Sequence, residues 1–210
     1  NQDTLRGSIT PERAWWNVLY YNINVTPDYK TKTIKGEVKI TYNIIKQPDS
    51  KIKMQIDLQE PMKINQVFSN DGQTVSVMKT STGGGSNLHQ LPRQLKFTRQ
   101  GNVYYIEGAP SKNNIDSITI EFSGKPRAAV NPPWDGGWIW GKDAKGRPWT
   151  TVACQGLGAS VWYPCKDHQS DEPDNGASLS ITVPDSLAAV GNGRLALKQK
   201  NRNGTSTWKW

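Results

Sequence analysis

A two-residue alternation of apolar and polar side chains recurs through most of this chain, and it limits the fold more than any other feature. Ile34, Val38, Ile40, Tyr42 and Ile44 share one parity, while Thr33, Lys35, Glu37, Lys39 and Thr41 take the other. Successive side chains of a strand point to opposite faces, so this text describes a strand with one buried and one wet face. The same pattern marks Trp15 to Val25, Ile52–Met54–Ile56–Leu58, Leu95–Phe97, Ile118–Ile120–Phe122, Leu179–Ile181–Val183 and Leu195–Leu197. No window of about eleven residues keeps apolar positions at i, i+3, i+4 and i+7, so helix has no comparable signal.

Turn residues separate these runs at short intervals: Thr26-Pro27-Asp28, Gln47-Pro48-Asp49, Asn70-Asp71-Gly72, Gln100-Gly101-Asn102 and Val183-Pro184-Asp185. Asn70-Asp71-Gly72 between apolar runs reads as a hairpin turn. Many short strands so punctuated predict an all-β fold, a sandwich or an open barrel-like sheet with little or no helix. Hydrophobic residues make up 35% and mean hydropathy is −0.68, which suits strands with a solvated face better than a buried parallel sheet. No run of about 18 apolar residues occurs, so no membrane span is expected. Neither an internal repeat nor a linker divides the composition, and residues 1–210 read as a single domain.

The net charge of +8 raises the question of nucleic acid. Lys30, Lys32, Lys35, Lys39, Lys51 and Lys53 are dispersed through strand text, and the aromatics lie elsewhere, so a solvated face is expected instead. The glycine-rich stretch Ser81 to Ser86 lacks the lysine of a phosphate-binding loop and reads as an exposed tip. A start at Asn1, without an initiator methionine, is what a processed or trimmed chain would show; it leaves the compartment open, with a secreted or periplasmic origin favoured. Two cysteines do not themselves name a compartment.

Residues 134–174 gather five of the nine tryptophans, both cysteines and an acidic cluster. Indoles beside so many glycines suit the wall of a cleft or interface. Cys154, Cys165 and His168, with Asp167, Asp171, Glu172 or Asp174, are the candidate metal ligands, but the cysteines do not have the close pairing of structural zinc sites. Calcium on Asp171, Glu172 and Asp174 lacks a recognised ligand rhythm. Cys165 and His168 are close only in sequence, whereas catalytic dyads are usually assembled from distant segments, and His89, beside the glycine stretch, reads as surface, so no catalytic residue is expected in this chain. Neither H-E-x-x-H nor G-x-S-x-G occurs. Trp134, Trp138 and Trp140 alternate as one strand face would present them, which leaves a glycan-binding sandwich as an alternative.

Three long segments, NPPWDGGWIW, PWTTVACQGLGASVWYPCKDHQSDEPD and TVPDSLAAVGNGRL, resemble the amino-terminal domain of the aminopeptidase N family of zinc metallopeptidases, which includes the leukotriene hydrolases. The order of features runs from WWNVLYYNINV to the final TSTWKW. The resemblance implies a large antiparallel, saddle-shaped β domain that covers one side of a catalytic cleft. It also implies a parent enzyme that cleaves N-terminal amino acids from peptides. Zinc and its ligands would lie in a following catalytic domain, which would be this domain's partner, with peptide as substrate. The last strand, begun at Gly204 and cut at Trp210, fits a chain truncated before that domain.

One substrate-binding residue carries across by resemblance. The family places a Gln or Glu in text such as C-Q-A before the P-C-x-D motif, where it helps hold the substrate's free amino group; here A-C-Q-G puts Gln155 there. An amide oxygen accepts from an ammonium group, although Gln in place of Glu gives up a charge-assisted bond. The alternative is a Gln that satisfies backbone groups between strands. Asp167 of the P-C-x-D motif is expected to hold a turn through neighbouring N–H groups.

Overall fold

The computed structural model describes residues 7–49, 51–70, 92–109, 114–132 and 134–210. Part of the Asn70-Asp71-Gly72 turn, the Ser81 to Ser86 stretch and His89 lie outside them. The architecture is all-β. A helical turn, α1 (Pro11–Ala14), precedes the long strands β1 (Trp16–Asp28) and β2 (Thr33–Ile44), and a 3-10 turn spans Ala159–Val161. Strands β3 (Met54–Asp57), β4 (Lys63–Ser69), β5 (Arg93–Gln94), β6 (Phe97–Gln100), β7 (Val103–Ile106) and β8 (Ile115–Gly124) follow. Then come β9 (Gly137–Lys142), β10 (Pro148–Ala153), β11 (Ala177–Pro184), β12 (Leu197–Lys200) and β13 (Thr205–Lys209).

Eight of these strands form the main sheet in the order β12-β13-β11-β1-β2-β8-β4-β5. A three-stranded sheet, β3-β7-β6, and the two-stranded ribbon β10-β9 complete the set. Pairing is antiparallel except between β1 and β11, which run parallel from Tyr21 opposite Ala177 to Val25 opposite Ile181. Alternation predicts burial well in β2, where Ile34, Val38, Ile40 and Tyr42 are buried and Lys35, Glu37 and Lys39 are exposed.

In β1 the buried parity changes: Trp16 and Val18 face the core, then Tyr21, Ile23 and Val25. A one-residue slip turns every later side chain to the other face, and a β-bulge between Val18 and Tyr20 supplies that slip. The bulge is covered by the acidic turn of residues 167–176. Asp174 N–H donates to Val18 O (3.3 Å), Asn175 N–H to Leu19 O (2.8 Å), and Asn17 Nδ2 to the Asp174 carboxylate (2.9 Å). Lys166 lies over the Trp16 ring, donates to Trp16 O at 2.6 Å and forms an ion pair with Asp171. The long acidic turn is therefore stitched to the first strand.

Two strands extend further than their turn residues predict. β1 continues through Pro27 to Asp28, and β11 ends on Pro184 rather than before it. The β11 pairing stops at Val25, so Pro27 has a ladder only toward β2 and its missing N–H is tolerated there. The three-stranded sheet packs against the main one, and Met54, Ile56, Tyr104 and Ile106 join Trp16, Ile40, Tyr42 and Phe122 in one cluster. Tyr42 sits edge-on to Trp15 and Trp16, and its hydroxyl donates to Ala109 O at 2.8 Å. At the sheet's margin every residue of β12 is exposed, with Lys198 lying over the Trp208 ring.

Candidate functional site

β3 departs from simple alternation, because Gln55 and Asp57 are as deeply buried as Met54 and Ile56. A polar face can be buried only if its groups find partners. Arg13 from α1 forms a buried ion pair with Asp57, Gln55 Nε2 donates to Asp57 Oδ1 at 3.2 Å, and Thr10 Oγ1 donates to Gln55 Oε1 at 2.8 Å. Burial pushes the Asp57 carboxyl up, while the Arg13 guanidinium, the Asp167 N–H and the Gln55 amide pull it back.

This network reaches the motif that carries Gln155. Asp57 exchanges backbone bonds with Cys165 (2.8 and 3.1 Å), and Asp167 N–H donates to Asp57 Oδ2 at 2.9 Å. The Asp167 carboxylate then accepts from Ser160 N–H (3.3 Å) and Ser160 Oγ (2.5 Å). Gln59 Nε2 donates to Leu157 O (2.6 Å) and Ser160 Oγ (2.9 Å). Asp167 thus holds a turn through one N–H, that of Ser160, and through its close approach to Gly158, where its motif predicts a set of adjacent N–H groups. The turn it holds lies before it in the chain.

That turn is Cys154–Gly158, closed by Leu157 N–H and Gly158 N–H on Cys154 O at 3.1 and 2.9 Å. Gly158 has φ +81°, and a Cβ there would fall on the Asp167 carboxylate, so backbone conformation and close approach both require glycine. Gln155 is exposed within this turn, two residues beyond the end of β10. Its side chain makes no hydrogen bond to any described residue, so the alternative role between strands finds no support. An exposed carboxamide on a braced turn can accept from an ammonium group without first giving up an internal partner.

The other candidates resolve differently. Cys154 and Cys165 are free thiols, and burial raises both above the usual thiol range, Cys165 strongly. A reactive thiol needs the opposite shift. His168 Nδ1 lies 2.7 Å from Ser170 Oγ and accepts from Ser170 N–H at 3.2 Å, so that nitrogen is engaged with serine instead of serving Cys165. Among the described residues no three His, Cys, Asp or Glu side chains converge as a metal group. Also among them, no helix is long and apolar enough to cross a membrane.

The tryptophans separate into two groups. Trp138 is 6% exposed, stacks on Trp140 (5.1 Å, 27°) and meets Trp162 edge-on at 6.1 Å. Trp134 and Trp149 are 76% and 63% exposed. The expected single face of Trp134, Trp138 and Trp140 does not form, since Gly136 and Gly137 take positive φ and reorient the chain at the start of β9. A sugar platform built on Trp138 is accordingly not favoured.

The model of the peptidase M1 N-terminal domain family matches residues 17–210. No curated protein sequence matches the chain. Among solved structures, an M1 zinc metallopeptidase from Deinococcus radiodurans superposes with a TM-score of 0.64 at 16% identity, over 93% of this chain and 38% of that one. A mutant of that enzyme bound to a Tyr-Ser-Ala substrate gives 0.66 at 18%, over 94% and 39%. Native yeast LTA4 hydrolase gives 0.62 at 15%, over 100% and 30%. At these identities the likeness is one of fold, and the chain spans well under half of each relative. The match across residues 17–210, together with a fold shared with M1 zinc metallopeptidases, shows that this chain belongs to the peptidase M1 N-terminal domain family.

Proposed function

We propose that this chain is the noncatalytic leading domain of a zinc aminopeptidase, where it covers one side of the catalytic cleft and helps bind the substrate's free amino end through Gln155. The observation that carries this reading is the exposed Gln155 side chain on a turn braced from behind by Asp167, Ser160 and Gln59. Family membership supports a parent peptidase with its own catalytic domain as partner and peptide as substrate. Zinc is implied by the family, and its ligands would lie in the catalytic domain; among the described residues no group of His, Cys, Asp or Glu converges to hold it.

What this chain contributes is selection. A carboxamide oxygen accepts from an ammonium group, which only a peptide with a free amino end presents. Hydrogen bonds to charged groups contribute about 1.5–3 kcal/mol, so Gln155→Ala in the full-length enzyme should lower kcat/KM roughly 10- to 150-fold. Zinc content should not change. Unaltered kcat and KM on aminoacyl anilides would remove Gln155 from the site. The 210-residue domain alone is expected not to cleave such anilides, and zinc-dependent hydrolysis by the pure domain would overturn the noncatalytic assignment.

A further inference from the structure

Near the open end of the β9–β10 ribbon a second exposed group, Trp134, lies two residues from a contact with the Gln155 turn. Ribbon pairing runs from Pro148 opposite Lys142 to Ala153 opposite Gly137, and the two chains stay together beyond it. A Cβ at Gly136 (φ +67°) would lie 3.0 Å from Gln155 O and 2.9 Å from Leu157 Cδ1. Trp134 stands two residues upstream of that contact. Its N–H donates to Asn131 O at 3.0 Å, and the neighbouring Asp135 carboxylate accepts from Val130 N–H at 2.6 Å. The indole is thus 76% exposed on a backbone that is tied down.

Exposed single apolar residues are common, but an exposed indole on tied-down backbone, two residues from the turn that carries a free carboxamide, is a more specific arrangement. In a peptide's first residue the ammonium and the side chain branch from one carbon. A group that holds the ammonium therefore has the substrate side chain within a few ångströms of it. Trp149, also exposed, pairs with Gly141 and lies four residues before Ala153, about 13 Å along the strand from the Gln155 end.

We propose that Trp134 forms an apolar wall of the pocket in which Gln155 holds the amino end, and that it favours peptides whose first side chain is large and apolar or aromatic. The proposal rests on the reading of Gln155 given above. It is tested in the full-length enzyme by measuring kcat/KM for phenylalanine, leucine and alanine anilides in Trp134→Ala, Trp134→Phe, Trp149→Ala and Gln155→Ala. Aromatic contacts of this kind are worth roughly a two- to tenfold preference. Trp134→Ala should therefore lower the phenylalanine-to-alanine ratio by about that factor, and Trp134→Phe should restore most of it. Trp149→Ala should leave the ratio in place, and Gln155→Ala should lower all three substrates together. An unchanged ratio in Trp134→Ala, or an equal loss on every substrate, would overturn the proposal and point to an indole packed on another part of the enzyme. A lowered ratio in Trp134→Ala with an inert Gln155→Ala would sink the amine assignment and leave the Trp134 wall standing.

Discussion

The two sides of the Cys154–Gly158 turn are built from similar residues and behave in opposite ways. Behind it, Gln55, Asp57, Gln59 and Asp167 are polar groups turned inward and satisfied by Arg13, Ser160 and backbone N–H groups. In front, Gln155 is exposed without such partners among the described residues, and Trp134 is exposed two residues from the turn's contact with Gly136. A glutamine is structural at position 59 and available at position 155 because of what surrounds it. Rigid backing with an unengaged front is the arrangement that holds a binding group in place without consuming it.

The comparison fails most visibly if the back can be cut without loss. Asp57→Ala would leave the Arg13 guanidinium buried without its carboxylate, and should cost about 3–5 kcal/mol in a denaturant titration. A loss below about 1 kcal/mol would show that the network is not what braces the turn. Gly158→Ala joins back to front, because it forces a side chain onto Asp167 in a left-handed backbone. It should lower stability by roughly 1–3 kcal/mol and weaken substrate capture in the same protein. Stability and capture that failed to fall together would uncouple the two sides.

Solution pH offers a third probe, of similar or smaller size. Burial holds the Cys165 thiol protonated well above its ordinary range, while the unfolded thiol titrates near about 8.5. Above that pH the folded state binds more protons than the unfolded one. The stabilisation is complete below about 8.5 and is lost as pH rises, by up to about 1.4 kcal/mol per unit for one group. Urea midpoints taken from pH 8 to 10 should fall, and Cys165→Ala should flatten the slope; an unchanged slope would place the titration elsewhere. Smallest of all should be the effect of Gln155→Ala on folding, within about 0.5 kcal/mol of the parent. A larger loss would mean that the front is structural after all.

Much of the fold was legible because alternation reports burial directly, as β2 shows from Ile34 to Tyr42. It reports face but not direction, so the parallel pairing of β1 with β11, more than 150 residues away, left no local trace. Residues 54–57 misled for a different reason. Polar residues at alternate positions indicate a wet face only when nothing covers them, and Arg13 arrives from a helical turn that the pattern did not reveal. The bulge after Val18 was likewise silent, since Trp16–Val18 and Tyr21–Val25 each alternate correctly on their own. Gln155 was singled out by motif alone, and its exposure came from the structure. Trp134 was expected to share a face with Trp138 because residue parity does not register a left-handed glycine between them.

The exposed strand β12 also governs how copies of this domain meet. An open edge invites another chain to add itself by backbone hydrogen bonding, and continued addition produces aggregates. Here the edge carries Lys198 and Lys200 within four residues, so a second copy docking in the same manner would bring lysine against lysine. Electrostatic repulsion at this margin opposes edge-to-edge addition of a second copy.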